Sequence, residues 1–156
     1  MATWGEFAAA APEIAERGAR RLGIGVALIG TVARDGAPRV HPVTPLIAGG
    51  RPDGRASARL FVFVAVHTAK YPNLRRDSRY ALHAVPGKDD EEFLLIGRAV
   101  ESNDWASQML AASAAREIGM TSVDHVLFEL LIERAHWAVW EGLGTPDIRR
   151  VAERWP

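Results

Sequence analysis

Val26-Ala27-Leu28-Ile29-Gly30-Thr31-Val32-Ala33-Arg34-Asp35-Gly36-Ala37-Pro38-Arg39-Val40-His41-Pro42-Val43-Thr44-Pro45-Leu46-Ile47 is the stretch whose reading decides the fold. Apolar, partly β-branched runs flank Arg34-Asp35-Gly36, and Asp-Gly between such runs is a strong hairpin signal. The return arm carries Pro42 and Pro45, which cannot donate ladder hydrogen bonds. It is therefore expected to be an edge strand, a bulged strand, or a strand facing a ligand.

Working outward, residues 1–22 read as an N-terminal helical segment. Thr3 and Glu6 have capping-box spacing, Pro12 either kinks the helix or starts a second one, and Gly23 is a plausible stop. A Gly/Pro/Asp-rich loop is expected from Gly49 to Gly54. Further strands are expected at Leu60–Val66, Tyr80–Val85 and Phe93–Val100, with acidic Asp89 to Glu92 as a solvated hairpin tip. Asn103 introduces a helix over 103–119. His125–Trp140 is long for a strand, and its alternation changes phase between Ile132 and Trp137, which suggests a bulge. Thr145-Pro146 has the chemistry of a helix start, so 145–155 is expected to be a C-terminal helix. The whole predicts one domain over 1–156, mainly β with flanking helices. Six mostly hairpin-linked strands would close into a small antiparallel barrel.

Composition narrows the functions open to such a chain. Its 156 residues suit a single core, and 48% hydrophobic with 24% charged residues is ordinary for a globular protein. Nineteen basic residues balance nineteen acidic ones, which removes the electrostatic footprint of a general nucleic-acid or anionic-membrane binder. Cysteine is absent, so disulfides, thiolate metal sites and thiol catalysis are excluded. The apolar run Leu60–Val66 is far short of a membrane span, and the N-terminus lacks the basic start and longer apolar core of a secretory signal. A cytoplasmic protein is expected. Only Lys70 and Lys88 are lysines, so the setting of each carries information.

Several common signatures fail. Gly23-Ile24-Gly25 lacks a third glycine and precedes its strand, and no Walker-A loop, nucleophile elbow or HExxH pair is present. The histidines at 41, 67, 83, 125 and 136 are spread along the chain, and no spacing among them argues for a metal. Two local candidates remain. His67-Thr68-Ala69-Lys70-Tyr71-Pro72-Asn73-Leu74-Arg75-Arg76-Asp77-Ser78-Arg79 follows an apolar strand and gathers ammonium, guanidinium, hydroxyl and turn amides, the mixture a phosphate needs. A solvated basic turn with Leu74 inward and Arg75 and Arg76 paired to Asp77 explains the same letters. Arg39 to Pro45 offers backbone groups without a full set of ladder partners, which a planar heterocycle could use, or it is an edge strand protected by proline. Trp105, Trp137 and Trp140 read as core or subunit interface. His136 either lines a pocket or is structural, and Lys88 faces solvent.

The two candidates taken together carry a resemblance. Asp35-Gly36-Ala37-Pro38, then Arg39-Val40-His41-Pro42-Val43, an apolar strand, and Lys70-x-x-Asn73-Leu74-Arg75-Arg76-Asp77-x-Arg79 resemble the pyridoxamine 5′-phosphate oxidase-like flavin-binding split-barrel family over about residues 22–101. The resemblance implies a homodimer with flavin mononucleotide (FMN) in each of two interface clefts. It implies that Lys70 and Thr68 hold the cofactor phosphate with His67 at its margin. Arg39, His41, Val43 and Thr44 would face the ring system or ribityl chain. The family also contains members that use a deazaflavin coenzyme, haem or other tetrapyrroles, so it implies fold more firmly than reaction. True pyridoxamine phosphate oxidases bind substrate through a C-terminal arginine/histidine segment, which Arg149-Arg150-Val151-Ala152-Glu153-Arg154-Trp155-Pro156 does not match. The expectation is a flavin- or deazaflavin-dependent oxidoreductase acting on a small organic molecule other than vitamin B6, with His41 or Tyr71 as candidate proton donors. A non-catalytic carrier or sensor is the expectation from a different class.

Overall fold

The computed structural model describes residues 1–50, 58–121 and 124–156, so most of the loop expected at Gly49–Gly54 lies outside the described residues. Two short helices open the chain, α1 (Trp4–Ala10) and α2 (Pro12–Leu22). The capping box forms as expected: the Thr3 amide donates to Glu6 Oε2 at 2.7 Å, and the Glu6 amide donates to Thr3 Oγ1 at 3.3 Å. Pro12 takes the first position of α2, where its missing N–H costs nothing.

The hairpin joins β1 (Ala27–Val32) to β2 (Pro38–Val43). Gly36 takes φ 84°, its amide reaches Ala33 O at 3.0 Å, and Asp35 Oδ1 accepts from the Ala37 amide at 3.1 Å. After Thr44 come β3 (Pro45–Ala48), β4 (Arg59–Ala65), α3 (Lys70–Arg76) and β5 (Arg79–Ala84). A 3₁₀ turn at Lys88–Asp90 leads to β6 (Glu92–Glu101), then α4 (Trp105–Glu117), β7 (His125–Glu141) and β8 (Arg149–Trp155). The sheet runs β2-β1-β5-β6-β7-β4-β3, antiparallel throughout, with β8 added on β7. Its two end strands, β2 and β3, are joined by the single residue Thr44, so the sheet must curl until its ends meet.

Among the described residues the sheet has eight strands, where six were expected. One extra arises because the Pro38–Ile47 arm is divided at Thr44, between Pro42 and Pro45. The other is β8, which overturns the C-terminal helix expected over 145–155. Gly142 and Gly144 take positive φ and Thr145 folds back on Gly142 O, so Pro146 sits in a turn and starts no helix. Val151, Glu153 and Trp155 then alternate inward along an extended chain. The cause is the length of β7. One of its edges is filled in sequence by β4 at His125–Glu129, by Ala2 at Ile132, and by β8 at Ala135–Glu141. Without β8 the last third of that edge would be unpaired. The phase change expected in β7 is present: its partner register with β6 skips Glu133 between Ile96 and Gly97.

β4 explains its unbroken apolar run by being buried on both faces. Leu60, Val62 and Val64 join Phe7, Leu22, Phe93 and Phe128 in the main core, while Phe61 and Phe63 pack beneath Ala111 and Ala115 of α4. The cap of α4 is Asp104, one residue after the expected Asn103, and its side chain accepts from the Ser107 amide at 2.9 Å. The acidic tip is solvated at Lys88–Asp90, but Glu91 turns inward to accept from Trp137 Nε1 at 2.8 Å. Trp137 is core, whereas Trp105 is 77% exposed on the single chain, so of the two expected placements, core or subunit interface, it does not take the core one. No helix among the described residues is long and apolar enough to cross a membrane.

Candidate functional site

Beyond Ala65 the chain turns at Thr68, whose amide and hydroxyl both donate to Ala65 O, at 3.1 and 2.7 Å. The turn launches α3, which is fastened to the sheet from its inner side. Leu74 is buried, and buried Asn73 donates Nδ2 to Thr31 Oγ1 of β1 at 3.1 Å. Arg76 donates to Val32 O at 2.5 Å and to Asn73 Oδ1 at 3.4 Å.

The basic segment divides sharply once its partners are known. Arg75 pairs with Glu101 at 3.3 Å, Arg79 pairs with Asp77 at 2.5 Å, and Arg76 is committed to β1. Asp77 therefore belongs to Arg79, whose guanidinium holds the carboxyl down to about 2. Neither Arg75 nor Arg76 makes the Asp77 pair expected of a plain solvated turn. Among the described residues Lys70 and Arg76 have no carboxylate partner, and of the two Lys70 is the less committed, with one hydrogen bond against the two of Arg76. Its Nζ donates to Pro42 O at 3.1 Å, and partial burial lowers its pKa from the ordinary lysine value.

Pro42 lies on the edge strand β2, which among the described residues pairs with β1 alone. Pro38 and Pro42 stand opposite Val32 and Leu28, positions where neither proline could donate across the ladder. The bonded pairs are then Arg39, His41 and Val43 with Thr31, Ile29 and Ala27, and the carbonyl of Pro42 is turned outward to Lys70. The prolines thus sit where a missing N–H costs no ladder bond.

His41 stands beside this contact. Its Nε2 is buried without a hydrogen-bond partner, and burial, then the charges of Lys70 and Arg39, lower its pKa from 6.5. An imidazole kept neutral with an unmet ring nitrogen beside an ammonium can receive a polar ligand group. Arg39 is exposed and has no ion pair among the described residues. The other expected site residues vary in placement. His67 is exposed on the turn, Thr44 is half-buried at the β2–β3 junction, and Val43 turns its side chain into the core. The Thr68 hydroxyl proton points to Ala65 O, so Thr68 serves first as the local turn cap.

Sequence reasoning missed two features. One is the Pro42 carbonyl as the partner of Lys70, foreshadowed only by the prolines. The other is the exposed outer face to which Pro42 belongs. Register aligns Pro42, Leu28, His83, Leu94, His136 and Arg154 in one row across β2, β1, β5, β6, β7 and β8. A second row runs Val40, Gly30, Ala81, Ile96, Arg134. Val40 is 65% exposed, and Leu28 and Ile96 are also uncovered, so the part of this outer face that they line is apolar and open.

No family model matches the sequence, and no curated protein matches it. Solved structures do. A haem-binding protein from Mycobacterium smegmatis superposes with a TM-score of 0.59 at 18% identity, over 85% of this chain. The chain spans 55% of that protein's length. A general stress protein 26-related protein of the pyridoxinephosphate oxidase family, from Clostridium acetobutylicum, gives 0.57 at 16% identity, covering 96% of this chain and 94% of its own. A pyridoxamine 5′-phosphate oxidase-related, FMN-binding protein from Nostoc punctiforme gives 0.54 at 10% identity, covering 90% and 94%. The chain therefore has the pyridoxamine 5′-phosphate oxidase-like split-barrel fold.

Proposed function

We propose that this chain binds FMN as a homodimer and acts as an oxidoreductase on a small organic molecule. The observation that carries the reading is Lys70: among the described residues it has no carboxylate partner, and it is tethered by a single hydrogen bond to an edge carbonyl beside an imidazole with an unmet nitrogen. That donor set fits a phosphorylated cofactor. Lys70 would meet the phosphate as a point charge, Arg39 would add to the local positive potential, and His41 would offer Nε2 to a polar group of the ring or ribityl chain. The bound flavin would supply hydride transfer, and the protein's part is position, polarity and exclusion of water. The open corner and the apolar face beside it support the dimer, since one chain offers only one wall of a cleft.

A deazaflavin coenzyme also carries phosphate and would use Lys70 in the same way. A second reading, haem binding, is favoured by the unpartnered His41 Nε2, which would ligate the iron, and by the fold shared with a haem-binding protein. The test is titration of FMN into cofactor-free protein, followed by flavin fluorescence, together with sedimentation. Saturable binding of one FMN per chain by a dimer is expected; a monomer that leaves FMN unquenched refutes the reading. Bleaching of the bound flavin by a nicotinamide donor separates an enzyme from a carrier. A Soret band in protein from its native host supports haem.

A further inference from the structure

We infer that the opposite end of the exposed face is a second ligand site, which takes an organic oxyanion carried on an apolar body. A groove of about 310 Å³ lies there, within the range of small-molecule sites. Leu94, Ile96, Ala135 and Pro156 supply its apolar lining, and Arg134, His136 and Arg154 its polar one.

The two arginines are uncompensated for a reason visible in the sheet. The carboxylates next to them in sequence are engaged elsewhere: Glu133 with Arg98 at 3.1 Å, and Glu153 with Arg17 at 2.5 Å. The nearby Glu92 pairs with Arg150 at 3.0 Å. Among the described residues Arg134 and Arg154 have no ion pair, although Arg149, Arg150 and Arg98 around them each have one. His136 completes the set as a neutral donor. Arg150 Nη2 donates to His136 Nε2 at 3.1 Å, which assigns the ring proton to Nδ1. Burial, then the charges of Arg150 and Arg154, keep the imidazole pKa below its ordinary value.

Two free guanidinium forks beside a neutral N–H match a carboxylate or phosphate ester, and the apolar lining requires a hydrocarbon or aromatic body behind the anion. Inorganic phosphate would leave that lining wet. The groove is separate from the Lys70 corner. Four strand steps divide Pro42 from His136 along their row, roughly 19 Å at about 4.8 Å per step.

The test uses isothermal titration of the full chain with 2-naphthoate and 2-naphthyl phosphate, with neutral 2-naphthamide as control. One or both anions should bind, naphthamide should not, and Arg134→Gln/Arg154→Gln should weaken binding at least about tenfold. Whichever anion binds tighter names the carboxylate or the phosphate ester as the ligand group. Lys70→Met should leave naphthoate affinity unchanged, which keeps this result independent of the FMN reading. Arg154→Gln alone, at an exposed strand position, serves if the double variant does not fold. Equal binding of naphthamide, unchanged affinity in the arginine variants, or no anion binding at millimolar concentration overturns the proposal.

Discussion

Replacing Lys70 with methionine keeps most of the aliphatic stem and removes the ammonium, so it tests the geometry and the function separately. Lys70 Nζ makes one hydrogen bond, to the outward carbonyl of Pro42 on the sheet edge, where water can replace it. The fold should therefore lose no more than about 0.5 kcal/mol. A charge-assisted contact to phosphate is worth about 1.5–3 kcal/mol, which corresponds to FMN binding weakened by about 10- to 150-fold. The corresponding change at exposed Lys88 should do nothing. The second readout is His41, whose pKa is lowered in part by Lys70. A proton NMR titration should show the His41 value rising in Lys70→Met and not in Lys88→Met. If His41 moves while FMN binds as before, the geometry is right and the phosphate role is wrong. If His41 does not move, the arrangement of the corner itself is wrong.

Other variants probe the scaffold. A Cβ at Gly97 would lie 1.9 Å from the Leu131 carbonyl, so Gly97→Ala should cost about 3 kcal/mol or more and lower the melting temperature by about 6–12 °C; Gly30→Ala, whose methyl would sit 3.5 Å from Ala81 O, should change little. Arg59 donates to Glu129 and, at 2.5 Å, to Ser107 Oγ, joining β4, β7 and α4. Arg59→Met strands the buried Glu129 carboxylate and should cost about 3–5 kcal/mol in urea unfolding, most of it recovered in Arg59→Met/Glu129→Leu. His41 and His136 both have folded pKa values below 6.5, so between those values and 6.5 the unfolded chain binds more protons than the folded one. Stability should accordingly fall as pH drops from 7.5 to 5.5, and fall less in His41→Gln/His136→Gln; a native protein that gains stability over that interval contradicts the burial of both rings.

Local chemistry in the chain was enough to specify the Asp35-Gly36 hairpin, the capped first helix and the proline-started second, the bulge in β7 and the proline-marked edge strand, because each depends on residues close together in sequence. It also singled out Lys70 and His41, since lysine is rare here and prolines bracket the histidine. The C-terminal segment defeated the same reasoning. Thr145-Pro146 has helix-start chemistry, and only the unfilled edge of β7, more than a hundred residues from the Ala2 that shares it, turns Arg149–Trp155 into a strand. Nothing in the letters says which arginines are free, either. Arg75, Arg79, Arg134 and Arg154 look alike in sequence. Ion pairing is decided by which carboxylate the folded sheet brings within about 4 Å, and that separation is fixed by strand register and curvature, not by spacing along the chain.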